Sequence, residues 1–372
     1  MLQALFHAWE RRLAAATTDR VVRPFEWGLE WIPPNGRLSG DAPEAVLRHW
    51  VSHVMADTDA FFTPPATKAY SLSAAAPEGD RVLTFPSALE TPHPENNTVY
   101  ARLFPSRTDR QRNSRAAQTQ GPALRETQGA SLRQAQGAAV LVLPQWNSDA
   151  GGHVGLCKLL AMNGMTALRL SLPYHDRRMP PELHRADYIV SANVARTVQV
   201  CRQAVLDARR AIAWLAAEGY DRIGILGSSL GSCLALLTTA HEPLIAAAAL
   251  NHISPQFADV VWRGLSTAHV REGLNGNLDL ELLRELWTPI SPASYLERMR
   301  GRPTLLVYAK YDLTFPVDLS QDLVRQFRDR DIPHEVAVLH CGHYSSGRAP
   351  FKFIDGWILS RFLRRALIER SG

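Results

Sequence analysis

Residues 227–231 read Gly-Ser-Ser-Leu-Gly, between an apolar run, RIGIL, and a second one, SCLALLTTA. In a G-x-S-x-G turn between a strand and a helix, the central serine occupies a sharp backbone bend with its hydroxyl exposed. The glycines on either side leave room for neighbouring backbone. The pattern indicates that Ser229 is a nucleophile, and a glycine-rich turn without chemistry is the alternative.

A serine hydroxyl attacks poorly unless a base removes its proton and an acid orients that base. Asp312 follows the apolar run TLLVYA and His343 follows EVAVL, so each lies just beyond a predicted strand. Because ligands of parallel sheets bind beyond the carboxyl ends of the strands, both side chains are placed for catalysis. His340 and Asp318 are the alternative base and acid. We expect instead that His340 ends its strand and that Asp318 begins a helix.

With Ser229, Asp312 and His343 in this order, the chain resembles the α/β-hydrolases over roughly residues 81–370, apart from an insert. The A-x-x-D-x-x-x-P sequence around Asp312 is similar to the acid loop of that family, with Ala309 in place of the usual glycine. The sequence Cys341-Gly342-His343 is similar to its base turn. The chain also resembles dienelactone-hydrolase-like and other intracellular members. The resemblance implies an α/β-hydrolase fold, a mostly parallel twisted sheet flanked by helices.

The resemblance further implies an oxyanion hole made of two backbone N–H groups. One belongs to Leu230, the residue after the serine. The other belongs to the loop after the run AAVLVL, which in many members reads His-Gly. Here that loop reads Pro-Gln-Trp-Asn, so Trp146 and Gln145 are both candidates for the second donor.

Three further residues are expected to contact the substrate, namely Tyr174, His252 and Trp262. His252 follows the run IAAAALN, and a hydrogen-bonded loop histidine is the alternative for it. Tyr174 opens the sequence Tyr-His-Asp, which could contact the substrate or the catalytic loops. Its aspartate, Asp176, is followed by two arginines, so a plain ion pair is an equal alternative.

Apolar periodicity predicts the elements that must position these residues. Helices are predicted over residues 2–16, 43–56, 194–218 and 351–368. Strands are predicted over residues 81–87, 97–105, 138–143, 165–172, 222–226, 245–250, 304–309 and 335–339. Strands that alternate with helices after residue 138 favour a parallel sheet wrapped by helices. We therefore interpret residues 81–372 as one α/β-hydrolase domain and residues 1–80 as an N-terminal extension.

Two segments interrupt this alternation. Residues 106–137 repeat glycine every eight positions near their end and carry six arginines against two acidic residues. This composition predicts a flexible low-complexity insert. Residues 254–301 are too long for a plain connector. Their leucines and tryptophans follow a helical spacing, which predicts a helical cap over the site.

The composition narrows the function further. The 372 residues are 46% hydrophobic and 21% charged, as in a globular protein. Most of the formal net charge of +5 lies in the insert, which lacks aromatic residues for stacking bases, so no nucleic-acid partner is expected. No apolar run is long enough to span a membrane, and charges from Glu10 to Arg12 interrupt any signal peptide. These features predict a cytoplasmic protein.

The sequence contains four scattered cysteines without a C-x-x-C pair, and it lacks a phosphate-binding loop and a dinucleotide motif. No metal and no cofactor are therefore expected. The prediction is an enzyme, a serine hydrolase that cleaves a carboxylic ester or related acyl bond of a small molecule. An acyltransferase or thioesterase with the same three residues is the first alternative. A non-catalytic scaffold of the same fold is the second.

Overall fold

The structure is a computed structural model that describes residues 2–33, 42–76, 79–109, 111 and 137–369. The predicted insert at residues 106–137 lies almost entirely outside the described residues. Among the helices of these described ranges, none combines the length and the apolar character that crossing a membrane requires.

Within these described ranges, nine strands form one sheet with the spatial order β1-β2-β3-β5-β4-β6-β7-β8-β9. The strands are β1 (Ser71–Leu72), β2 (Arg81–Pro86), β3 (Thr98–Phe104), β4 (Gly137–Leu143), β5 (Thr166–Leu170), β6 (Tyr220–Ser228), β7 (Ile245–Asn251), β8 (Thr304–Ala309) and β9 (Glu335–Leu339). The strands β1, β2, β3 and β5 pair antiparallel, and all pairs from β5 to β9 are parallel. The mostly parallel sheet predicted from the sequence is confirmed.

Helices cover both faces of this sheet. They are α1 (Leu2–Ala15), α2 (Pro43–Ala56), α3 (Thr58–Phe61), α4 (Val154–Met162), α5 (Val194–Ala217), α6 (Leu230–His241), α7 (Phe257–Arg263), α8 (Ala268–Leu274), α9 (Leu280–Leu286), α10 (Val317–Asp329), α11 (His343–Ser346) and α12 (Phe351–Leu367). The predicted helices over 2–16, 43–56, 194–218 and 351–368 are confirmed to within one residue at each end.

The sheet buries apolar side chains on both faces because successive residues of a strand point to opposite sides. In β4, Leu141 and Leu143 pack into one core, and Val140 and Val142 pack into the other. Helices α4 and α12 cover the second core, while α2, α5 and α6 cover the first. A strand with two buried faces reads as a continuous apolar run. This is why these strands were visible in the sequence.

The segment 254–301 contains α7, α8 and α9 together with short 3-10 helices. Its Trp287 is fully buried and packs edge-on against Phe257. From the N-terminal 80 residues, Trp50 and Phe62 enter the same core. The segment 254–301 thus consists largely of helices, and its role as a cap over the site stays a prediction.

The parallel strands β4, β6, β7, β8 and β9 end at the same edge of the sheet. Ser229 and His252 follow directly after β6 and β7. Asp312 lies three residues after β8, and His343 lies four residues after β9. The topology therefore brings these four polar residues, which are distant in sequence, to one edge of the sheet.

Candidate active site

Ser229 occupies a strained turn between β6 and α6. Its backbone has φ 55° and ψ −121°, a region that residues with a side chain rarely adopt. A Cβ atom on Gly231 would lie 2.2 Å from the carbonyl oxygen of Leu143, and one on Gly227 would lie 2.1 Å from that of Gly231. The N–H of Ser229 donates to the carbonyl of Asn251 over 2.8 Å. The turn is the tight elbow that the G-x-S-x-G pattern predicts.

Asp312 accepts four hydrogen bonds, and two of them come from histidines. Its Oδ1 accepts the backbone N–H groups of Thr314 and Phe315, each over 2.8 Å. Its Oδ2 accepts Nδ1–H of His343 and Nδ1–H of His252, each over 3.0 Å. Because Nδ1 of His343 faces the carboxylate, its Nε2 is the nitrogen left to act as a base.

The charge of Asp312 is stabilised by its surroundings. Burial alone would raise the pKa of Asp312, but the neighbouring His343 and the two histidine hydrogen bonds hold it well below its usual range. Burial lowers the pKa of His252, but the hydrogen bond to Asp312 and the charges of Asp312, Asp355 and Glu10 together outweigh burial and raise it. The carboxylate is therefore ionised near neutral pH and can fix the orientation of both imidazole rings.

His252, Asp312 and His343 also bring potential metal ligands within 4.8 Å of one another. Both Nδ1 atoms already donate to the Asp312 carboxylate. A cation there would have to displace these hydrogen bonds, so the geometry favours a relay of hydrogen bonds over a metal centre.

Three backbone N–H groups are candidates for stabilising an oxyanion. Leu230 is the first residue of α6, where backbone N–H groups have no partner within the helix. Gln145 and Trp146 lie in the loop after β4, and both line the same cavity as Ser229. The indole of Trp146 donates to the carbonyl of Ala186 over 2.9 Å and stacks on His269 with ring centres 5.7 Å apart.

The loop after β4 is held by His175, which is buried. Its Nδ1–H donates to the carbonyl of Pro173 over 2.8 Å, and its Nε2 accepts the N–H of Asn147 over 2.9 Å. Burial lowers the pKa of His175 to about 4, and the cations Arg169 and Arg178 add to the effect. The neutral ring is therefore the form that anchors this loop next to the serine.

Arg169 holds the same loop from β5, although it lies within a strand and is buried. Its Nε donates to the carbonyl of Gly152 over 2.7 Å, and a second nitrogen donates to the carbonyl of Asp149. It also forms an ion pair with Asp176 at 3.1 Å. The aspartate of the Tyr-His-Asp sequence thus pairs with Arg169, and the histidine of that sequence contacts the candidate oxyanion loop.

The turn that carries His343 is held by the N-terminal helix. Glu10 of α1 is fully buried, and its two carboxylate oxygens accept the N–H groups of Tyr344 and Ser345 over 2.8 and 2.9 Å. A Cβ atom on Gly342 would lie 2.2 Å from the Cδ of Glu10, so a larger residue there would displace the Glu10 side chain. Glu10 thus caps the short helix α11 that begins with His343.

One cavity of about 1270 Å³ contains the site. Ser229, His252 and His343 line it together with Gln145 and Trp146. Thr17 and Arg20 line it from the N-terminal region, and Ser266 lines it from the segment 254–301. Side chains from parts of the chain far apart in sequence therefore form one cavity.

Several other sequence candidates lie away from this cavity wall. Tyr174 is fully buried, and its hydroxyl lies 3.0 Å from Nδ1 of His93. Trp262 packs against the core, with the guanidinium of Arg271 over its ring. His340 is exposed at the end of β9, and Asp318 begins α10 and pairs with Arg263 at 2.8 Å. Of the three expected substrate contacts, His252 alone is among the described residues that line the cavity.

The sequence interpretation overlooked Glu10 and Arg169. Each is a charged residue on an otherwise apolar face, Glu10 within one turn of Phe6 and Leu13 and Arg169 within the run MTALRLSL. Buried charges need partners. That mismatch is the signal that could have identified both residues, although not their partners.

Solved structures with the same fold include hydrolases. An acetyl xylan esterase from Paenibacillus sp. R4 aligns with 90% of this chain and 100% of its own, at 14% identity and a TM-score of 0.58. Acetyl xylan esterase 1 from Thermoanaerobacterium sp. JW/SL YS485 aligns with 87% of this chain and 99% of its own, at 13% identity and a TM-score of 0.57.

An acylaminoacyl peptidase from Pyrococcus horikoshii aligns with 81% of this chain, at 14% identity and a TM-score of 0.57. The chain spans 42% of the length of that peptidase. No protein-family model matches the sequence, and no curated protein matches it. The chain has the α/β-hydrolase fold.

Proposed function

We propose that this protein is a serine hydrolase that cleaves a carboxylic ester or a related acyl bond through an acyl-enzyme. The observation that carries the proposal is the pair formed by Asp312 and His343 at 3.0 Å, in the cavity that Ser229 lines from a strained elbow. The names of the structures with the same fold, two esterases and a peptidase, also support chemistry at an acyl bond.

In the proposed reaction, Oγ of Ser229 attacks the acyl carbonyl while Nε2 of His343 takes the hydroxyl proton. Asp312 accepts Nδ1–H of His343, which fixes the tautomer and stabilises the imidazolium. The tetrahedral oxyanion is stabilised by the N–H of Leu230 and a second N–H from Gln145 or Trp146. The intermediate collapses when His343 returns the proton to the leaving group, and water repeats the sequence to release the acid.

His252 is proposed to position the acid rather than to act as the base. It donates to the same oxygen of Asp312 that His343 uses, and burial leaves its ring 3% exposed. Its Nε2 is buried without a hydrogen-bond partner in the described part of the chain. His252 therefore helps keep Asp312 ionised and fixed.

The experiment is labelling by a fluorophosphonate probe together with hydrolysis of 4-nitrophenyl acetate. We expect wild-type protein to react with both, and Ser229→Ala to lose labelling and to lower kcat by at least about a thousandfold. The neighbouring variant Ser228→Ala is the control, and it should keep labelling. Absence of labelling in folded wild-type protein contradicts the proposal and favours the non-catalytic scaffold. Loss in Ser228→Ala with retention in Ser229→Ala would reassign the nucleophile.

A further inference from the structure

The cavity extends beyond the candidate catalytic residues into a groove between α4 and α12. Its apolar walls are formed by Leu156, Leu159 and Met162 of α4 and by Phe353 and Trp357 of α12. The two helices approach closely at Gly356, where a Cβ atom would lie 3.5 Å from the side chain of Leu159. This α4–α12 groove is part of the same cavity as Ser229.

Large apolar side chains are exposed in this groove. Met162 is 64% exposed, Phe353 is 66% exposed and Trp357 is 57% exposed. Scattered single apolar residues are ordinary on a surface, but a contiguous patch marks a binding site. A groove of this kind, open at one end to a nucleophile, suits an extended apolar chain of a substrate.

The charge around the cavity is one-sided. Among the residues that the structure describes, seven lysines and arginines line the cavity, against two acidic residues. Within the groove, the ammonium of Lys352 lies over the ring of Phe353 at 4.9 Å, and the guanidinium of Arg361 lies over that of Trp357 at 5.0 Å. These cations therefore flank the same aromatic rings that form the apolar wall.

Arg361 is the cation best placed to bind a ligand. Its neighbours Arg364 and Arg365 pair with Glu369 and Glu335, whereas Arg361 forms no salt bridge within the described ranges of the chain. Arg361 lies six residues after Asp355 in α12. The side chain of Asp355 accepts a hydrogen bond from Asn251, the last residue of β7. Six residues correspond to about 9 Å of helix, so Arg361 lies farther along the groove than the candidate catalytic residues.

We propose that the α4–α12 groove binds the acyl chain of the substrate, and that Arg361 binds an anionic group at the far end of that chain. The substrate class is thus an anionic amphiphile, an ester whose extended apolar chain carries a carboxylate or phosphate. This inference rests on the proposed function, because the groove is assigned to the acyl chain that Ser229 would accept.

Three 4-nitrophenyl esters test the proposal, namely the acetate, the decanoate and the mono-ester of decanedioic acid. The last two have the same chain length and differ in the terminal carboxylate. We expect kcat/KM to rise at least about tenfold from acetate to decanoate, because each buried methylene favours binding. We expect a further rise of roughly tenfold for the decanedioate, the effect of one charge-assisted hydrogen bond.

Two variants separate the apolar and the charged contributions. Phe353→Ser combined with Trp357→Ala should remove most of the preference for decanoate over the acetate. Arg361→Gln should remove the preference for decanedioate over decanoate alone. Both variants change exposed side chains, so folding is expected to be preserved. The matched controls are Leu244→Ala and Arg325→Gln, exposed residues away from the cavity wall, and they should change neither preference.

The outcomes distinguish this proposal from the proposed function. If wild-type protein hydrolyses none of the three esters, or if the fluorophosphonate probe does not label it, the proposal of a serine hydrolase is wrong. Hydrolysis of the acetate without any preference for decanoate or decanedioate overturns the groove assignment and leaves the hydrolase intact. Groove variants that keep both preferences but lose binding to phosphatidylglycerol vesicles would show that the groove contacts a lipid surface, and the assignment would be wrong.

Discussion

The turns that carry Ser229 and His343 lie at the same edge of the sheet but are held by different parts of the chain. At Ser229 the supporting residues are the glycines two positions away, and the next strand supplies one carbonyl. At His343 the following two N–H groups bond to Glu10, which lies 334 positions from Tyr344. One turn is therefore built locally, and the other depends on a helix from the opposite end of the sequence.

The difference explains why the two turns are unequally visible in the sequence. A local turn requires particular residue types at neighbouring positions, so its geometry is written in a five-residue pattern. A turn that is held by a residue far away in the sequence shows only a short pattern at the turn itself. The residue that holds it is visible only as an isolated charge elsewhere in the sequence. The loop after β4 belongs to the second kind, because His175 and Arg169 hold it from the next strand and the residues after it.

Among the variants that test this comparison of turns, the largest effect is expected for the second oxyanion donor, which belongs to a loop held by distant residues. If the N–H of Trp146 is that donor, Trp146→Pro should lower kcat by about 10²–10³, a loss of roughly 2.7–4 kcal/mol in transition-state stabilisation. Gln145→Pro makes the same test of the other candidate. The measurement is kcat for 4-nitrophenyl acetate, with circular dichroism to verify that each variant folds.

Trp146→Ala is the control for the side chain. It keeps the N–H but removes the hydrogen bond to Ala186 and the contact with His269. It should therefore lower the melting temperature and change kcat much less than Trp146→Pro does. If both proline variants fold and keep wild-type kcat, the loop after β4 supplies no oxyanion donor. The oxyanion hole would then depend on the elbow alone.

The next effect tests the base turn. In Glu10→Gln, one oxygen can still accept an N–H, but the amide nitrogen faces the other N–H, so one charge-assisted hydrogen bond is lost. We expect a decrease of about 1.5–3 kcal/mol in the free energy of unfolding. We also expect kcat for 4-nitrophenyl acetate to fall about tenfold with KM nearly unchanged, because the displaced group is the base and not a substrate contact.

Glu44→Gln is the matched control for Glu10→Gln. Glu44 lies half-buried at the surface of α2 and pairs with Arg48 at 2.9 Å, and such surface pairs contribute little to stability. If Glu10→Gln lowers stability but leaves kcat unchanged, α1 supports the fold without positioning His343. The two turns would then be held by different parts of the chain, but activity would depend on a distant residue at neither of them.

The elements and the chemistry could be read from the sequence to different extents. Strands such as β4 and β6 are buried on both faces, and their apolar runs predicted a parallel sheet wrapped by helices. The α/β-hydrolase fold itself was implied by the resemblance of the motifs around Ser229, Asp312 and His343. The second histidine on Asp312 was not predicted, because His252 and Asp312 meet only through the pairing of β7 with β8. The same holds for Glu10 and Arg169, whose partners are set by packing between elements far apart in sequence.

The smallest effect concerns pH and the loop after β4. The pKa of His175 is lowered to about 4 in the folded protein, against about 6.5 for an unperturbed histidine. As the pH falls below 6.5, the unfolded chain takes up this proton first, so the stability that the neutral ring contributes is lost between pH 6.5 and 4. Between pH 6.5 and 5 the loss is about 2 kcal/mol. In His175→Gln the amide can still accept from Asn147 and donate to Pro173, but it does not titrate. Urea unfolding at both pH values should therefore show a smaller decrease in the free energy of unfolding for the variant than for wild-type protein, by about that amount.

His241→Gln is the control. Burial also lowers the pKa of His241 to about 4, but His241 lies in α6 and not beside the loop after β4. It should reduce the pH dependence of stability similarly, and both variants should keep kcat at pH 7, because His175→Gln retains the hydrogen bonds to Asn147 and Pro173. A lower kcat in His175→Gln alone would contradict this expectation and show that the imidazole ring itself sets the geometry of the loop after β4.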